Sequence, residues 1–413
     1  MAMRFFLLLT ILFAYRPLMA QNENKQQFDK KKVVKDVKGF NKEGKFSNMD
    51  DLLRSTFQKY PESAIDPELL NYQTSAQYNL YLEENKKMFL NGKGDTIKFF
   101  THIYNTYYYG LKCDSVSKPS AVGAKDGGRF FADINTKLST LRNNLKNGGL
   151  YFMKKKNYAE AFKFFDIYLD SRNNPVVYVQ KKGHFTLGDD STRISKLALH
   201  AAYGSQQYEK VMKYLPLAIA DTLRKQEMLE MSAKSALQLN DSTKFFRLIY
   251  DGFTEFPYNE YFSANLIQYY HNKNDFQNTM IVIDKCLSVD SNKAKYWVLK
   301  GNEYFEINAI DKAQDAYEKA ITINANNTEV LSKLGNMYVK RAHDFYDTAD
   351  LAIGSANYSD NRAKLNSIYE KAMGYYEKLM CLKPDEPGLW KEGLQEVYFK
   401  LNKGEELRKL ERY

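Results

Sequence analysis

The stretch YWVLKGNEYFEINAIDKAQDAYEKAITINANN, Tyr296 to Asn327, decides the fold. Its apolar and small residues recur at helical spacing in two blocks, so it predicts two helices joined by a short turn. The helices must lie close together for such a turn to join them. Small residues, Gly301 and Ala313, therefore sit where the backbones approach, and Trp297, Tyr304 and Tyr317 fill the space beside them. Ala320 then leaves room for whichever helix comes next.

The same spacing returns every 34 residues. Windows starting at Arg142, Thr192, Gln226, Glu260, Ala294 and Thr328 align, the last four in continuous register. Trp297, Gly301, Tyr304, Ala313, Tyr317 and Ala320 take the places of Trp, Gly, Tyr, Ala, Phe and Ala in the tetratricopeptide pattern, and here the chain resembles that family. Ala325 stands where the pattern closes on Pro, while Pro257 and Pro384 supply that residue in other windows. The resemblance implies an all-α fold in which helix-turn-helix repeats stack into a right-handed solenoid. Each unit exposes an apolar face that only its neighbour can cover.

The window from Arg142 keeps Leu145, Gly149, Phe152, Tyr158, Ala161 and Phe165, and the one from Thr192 thins to Leu199, Ala202, Tyr208, Val211 and Ala218. Ala233, Phe245, Gly252 and Pro257 hold the next frame; Tyr270, Phe276, Ile283 and Cys286 hold the one after. Leu331, Gly335 and Tyr338 open a unit whose second helix resumes about 25 residues late at Ala372, Tyr376, Leu379 and Pro384. The expected organisation is repeats at 142–175, 192–225 (weak), 226–259, 260–293, 294–327 and 328–386, the last with an insertion near 340–364, and capping helices at 387–413. The insertion keeps helical spacing around Gly354 to Asp360, so it predicts two lengthened helices with an exposed tip. A second insertion at 176–191, VVYVQKKGHFTLGDDS, alternates apolar and polar residues and predicts a short hairpin or an irregular loop. Residues 47–114 predict degenerate helical repeats, and 115–134, rich in turn formers, a mobile loop.

At the N-terminus, MAMRFFLLLTILFAYRPLMA places Arg4 before an apolar run and Ala20 before Gln21, the layout of a cleavable export signal over 1–20. Its Ala-Gln junction resembles signals of Bacteroides-type Gram-negative bacteria, and the expected address is the periplasm, with no transmembrane segment once the signal is gone. The formal charge of +10 falls to +8 when Arg4 and Arg16 leave, too diffuse to point to nucleic acid. Its densest part is the lysine-rich stretch 21–46, expected to be a solvated basic arm, with contact to acidic lipid or an acidic partner as the alternative.

Chemistry-bearing patterns are sparse. His102, His184, His200, His271 and His343 have no neighbour at metalloprotease or zinc-ribbon spacing. Cys113, Cys286 and Cys381 are an odd count; Cys286 reads as a core residue and the others as free thiols. No Gly-x-Ser-x-Gly elbow or phosphate loop occurs, and the adjacent acids Asp50 and Asp51 point different ways on a helix. No enzyme activity, cofactor or metal is expected.

Recognition remains. Tetratricopeptide proteins typically hold extended peptides or partner helices on the concave face lined by their first helices, and the resemblance implies the same here. Positions on those helices that avoid the packing places are Lys234 and Gln238; Gln268, His271 and Asn272; Asn302, Phe305 and Glu306; Asn336, Val339 and Lys340. Their amides can pair with a peptide backbone, and Phe305 and Val339 can take an apolar side chain. Val298 and Ser332 stand where a carboxylate clamp of this family would place a cation, so the terminal-carboxylate mode is not implied. The expected role is a non-catalytic scaffold or adaptor of the cell envelope binding a protein or peptide partner. The alternative is a glycan-binding accessory protein of nutrient uptake.

Overall fold

A computed structural model describes residues 28–117, 128–178 and 190–413. Among them are 18 α-helices and no strand, in two compact units spanning 1–188 and 189–413. The expected export signal and most of the insertion at 176–191 lie outside the described residues.

The first unit holds α1 (Lys30–Glu43), α2 (Phe46–Lys59), α3 (Pro67–Asn91), α4 (Thr96–Ser117), α5 (Phe131–Lys154) and α6 (Tyr158–Asp170), each packed on the next in chain order. The start of α3 follows from Asp66-Pro67. The Asp66 side chain accepts from the amides of Glu68 and Leu69, and Pro67 has no amide to leave unpaired at the first turn. Across α2, α3 and α4 a polar network replaces part of the apolar core. The buried carboxylate of Asp50 accepts from Gln73 Nε2 at 2.5 Å and Gln77 Nε2 at 2.7 Å, and pairs with Arg54 at 2.8 Å. Gln77 Oε1 in turn meets His102 Nδ1 at 2.8 Å and accepts from Asn105 Nδ2 at 3.2 Å. A buried carboxylate is tolerable only with such partners, so these side chains fix how the three helices sit together.

Two sequence expectations change here. The basic stretch is not a solvated arm from Lys30 onward: α1 buries Val37 fully and packs Val33, Val34 and Phe40 against Met49, Leu53 and Leu69, while its lysines remain on the outer side. Periodic valines offset the lysine excess that suggested solvation. Helix α5 begins at Phe131, inside the expected loop and ahead of the expected repeat start at Arg142, because Ile134, Leu138 and Leu141 continue its buried stripe.

The second unit holds α7 (Ser191–Gly204), α8 (Tyr208–Ala218), α9 (Lys225–Gln238), α10 (Ser242–Glu255), α11 (Glu260–His271), α12 (Phe276–Val289), α13 (Ala294–Glu306), α14 (Ile310–Ile323), α15 (Thr328–Thr348), α16 (Tyr358–Leu382), α17 (Lys391–Lys400) and α18 (Gly404–Lys409). They form stacked helical hairpins, each helix packed on the next. The turn within a hairpin recurs as well. Gln206, Asn240, Asn274, Asn308 and Asn402 all have φ between 54° and 59°. The amide of the following residue reaches back to close the first helix: Asp241 to Ala236 O at 2.9 Å, Asp275 to Tyr270 O at 3.0 Å, Ala309 to Tyr304 O at 2.9 Å. This satisfies carbonyls the helix would otherwise leave open, and asparagine takes the left-handed conformation more readily than most side chains. Asp241 and Asp275 then cap the second helix through the amides of Lys244 and Asn278.

Inside a hairpin, Tyr317 of α14 lies flat against Gly301 of α13; a Cβ built on Gly301 would fall 2.5 Å from Tyr317 Cε1. Tyr376 of α16 repeats the arrangement on Gly335 of α15, where a built Cβ would fall 2.6 Å from its Cε1, and Gly393 of α17 also lies too close to the ring to carry a Cβ. Both tyrosines are buried. Helices α15 and α16 are longer than the other helices of this unit, keep Ala342, Leu365 and Tyr369 buried in the shared core, and turn between Ala349 and Asn357, where Gly354 has φ 95°. Trp390, expected within a helix, instead precedes α17; its ring is 1 % exposed and its Nε1 donates to Lys383 O at 2.8 Å.

Candidate binding face

Because α9, α11, α13 and α15 repeat at 34-residue intervals, the candidate residues fall into columns. One is Lys234, Gln268, Asn302 and Asn336; a second is Gln238, Asn272, Glu306 and Lys340; a third is His271, Phe305 and Val339, to which Leu237 belongs by position.

The first column is largely engaged inside the fold. Asn302 Oδ1 accepts from Tyr317 Oη at 2.6 Å and from Lys333 Nζ at 2.7 Å, and Asn336 Oδ1 accepts from Tyr376 Oη. Lys234 lies 4.9 Å above the Tyr261 ring and 3.8 Å from Glu230. These asparagines brace one helix of a hairpin to the other, so their oxygens are not available to a peptide. The sequence signal for this was the tyrosine 15 residues after Asn302.

The remaining columns are more open. Gln238, Asn272, Glu306 and Lys340 are exposed. Gln268 Nε2 donates to Asn272 Oδ1 at 2.6 Å, a pair at the surface that an incoming backbone could split. Phe305 is 51 % exposed and Leu237, overlooked in the sequence, 46 %, whereas Val339 is partly covered by the core of the last hairpins. His271 is drawn sideways: its Nδ1 is 2.8 Å from Glu303 Oε1 and 3.8 Å from Glu306 Oε2. Glu303 is buried and was missed, since its partner lies 32 residues away on another helix.

The buried thiols are poor nucleophile candidates. Burial pushes the Cys113 thiol up to about 12 and raises that of Cys286, the opposite of an activated cysteine. No helix among the described residues is long and apolar enough to cross a membrane.

Residues 301–341, which cover the end of α13, all of α14 and most of α15, match the TPR repeat family. That stretch matches a tetratricopeptide repeat, and the stacked hairpins of the second unit continue the same helical arrangement on either side of it. The chain is also similar to a TPR repeats protein from Bacteroides fragilis, at 20% identity over 62% of this chain and 97% of that one, TM-score 0.26. A second similar structure is the C-terminal part of a TPR repeat-containing protein from Cytophaga hutchinsonii, at 16% identity over 63% and 91%, TM-score 0.38. Yeast Tom70 is similar at 13% identity over 92% and 83%, TM-score 0.29. Scores this low leave the likeness at the level of the repeat. No curated protein matches the chain in sequence. The TPR fold suggests a protein-protein interaction scaffold, and proteins built from it are generally non-catalytic.

Proposed function

We propose that this protein is a non-catalytic adaptor of a bacterial cell envelope that holds a peptide segment or partner helix along the open columns of α9, α11, α13 and α15. The observation that carries the reading is the spacing of exposed apolar and amide side chains, Leu237, Gln268, Asn272 and Phe305, on successive repeats of a fold suited to scaffolding. Peptide backbones repeat their donors and acceptors, and a ladder of amides with apolar anchors between them suits that pattern. The export-signal layout of residues 1–20 supports the periplasmic address.

Glycan binding finds less support. Sugar sites commonly present open indoles, and the indole of Trp390 is buried while that of Trp297 donates to Ser291 O at 2.9 Å and is flanked by Lys300 and Lys319.

The test is a crosslinked pull-down from the native envelope with the wild-type chain and a Gln268→Ala/Phe305→Ser variant side by side. Both residues are exposed, so the variant keeps its fold. A partner captured by the wild type and lost from the variant supports the adaptor and its face. Equal capture by both removes this face; recovery from the cytoplasmic fraction removes the address.

A further inference from the structure

We propose that His271, Glu303 and Glu306 form a divalent-metal site joining two successive repeats. His271 is the last residue of α11, and the two glutamates stand one helical turn apart on α13, so both carboxylates face the same imidazole. One ligand atom from each residue lies within 4.8 Å of the other two. Metal bonds to imidazole nitrogen and carboxylate oxygen are about 2.0 to 2.2 Å long, which in a tetrahedron separates ligand atoms by roughly 3.3 Å. The two measured approaches to His271 Nδ1, 2.8 Å from Glu303 and 3.8 Å from Glu306, straddle that distance. Seating an ion requires one contact to open and the other to close by about half an ångström. Glu306 is exposed and free to make that movement.

Burial points the same way. Glu303 is only 7 % exposed, and placing a second carboxylate beside it raises the electrostatic cost of the site. A dication between them would neutralise both carboxylates at once. One nitrogen and two oxygens suit a first-row divalent ion, and three protein ligands leave a fourth position toward solvent on the exposed Glu306 side. The site stands independently of peptide binding on this face.

The test uses the full chain, stripped with a chelator and titrated with zinc chloride by calorimetry, alongside Glu306→Gln, His271→Ala and the control His343→Ala. His343 pairs with Glu396 away from the proposed site. The expected result is one zinc per chain, with affinity reduced roughly tenfold or more in Glu306→Gln and His271→Ala and unchanged in the control. Glu306→Gln changes an exposed side chain conservatively, so its loss of zinc cannot be ascribed to unfolding. The inference is overturned by absence of stoichiometric uptake, or by uptake that Glu306→Gln leaves unchanged.

Discussion

Asn336 accepts a hydrogen bond from the Tyr376 hydroxyl across 40 residues of chain, and Asn302 accepts the equivalent bond from Tyr317 across 15. The difference is the insertion between α15 and α16. The extra residues therefore leave the hairpin's internal bracing intact, and each asparagine has a structural task that its place on the helix surface conceals.

Removing the brace should cost stability. Tyr376→Phe is expected to lower unfolding free energy by about 1 kcal/mol, and Asn336→Ala by roughly 1 to 3 kcal/mol, because a buried hydroxyl is left without its acceptor. A urea double-mutant cycle checks this. Additive effects of the two changes would show that the bond carries no coupling.

Glycine to alanine within a helix ordinarily stabilises by roughly 0.5 to 1 kcal/mol. Gly335→Ala should do the reverse, costing about 1 to 3 kcal/mol, since the new methyl would meet the Tyr376 ring, which Gly393 also crowds. Gly374, with nothing within 4 Å of a built Cβ, is the internal control and should gain on substitution. A thermal melt in which both alanines stabilise would remove the wedge.

The left-handed turns make a separate forecast. Asn274→Gly should be neutral or slightly stabilising, while Asn274→Val should cost on the order of 1 to 2 kcal/mol at φ 55°. Equal denaturation midpoints for the two variants would show that the turn tolerates any side chain.

Acid should weaken both units. Burial is the leading cause that holds His102 and His200 below the ordinary value of 6.5, against the pull of Asp50 and Glu84 on the first and Glu227 on the second. A histidine depressed in the folded state binds its proton first in the unfolded chain. Its stabilisation is complete above about 6.5 and is lost as pH falls from there toward the folded value. Urea midpoints measured between about pH 5 and pH 7.5 should rise with pH, and His102→Gln should flatten the slope of the first unit. A flat profile in the wild type would contradict the burial argument.

The repeat was legible because Gly301, Ala313 and Tyr317 encode packing directly: a small residue facing a large one leaves little alternative to close helices. The asparagine turns were equally periodic, yet polar residues between apolar blocks carry no visible partner until backbone geometry is known. Asp50 was dismissed because Asp51 adjoins it, whereas its partners Gln73 and Gln77 lie on another helix. On the candidate face, exposure could be anticipated from helical phase, but engagement could not. Asn302 and Phe305 looked alike in sequence; one is held by Tyr317 and Lys333, and the other stands open.

The long excursion of α15 and α16 gives the protein a point of attachment that evolution or an engineer can edit. Its turn runs from Ala349 to Asn357; Leu351 there still packs on the core, while a Cβ built on Gly354 would have open space around it. A reporter peptide or a whole domain spliced at Gly354, rather than at Leu351, would ride on two struts and spare the packed layers.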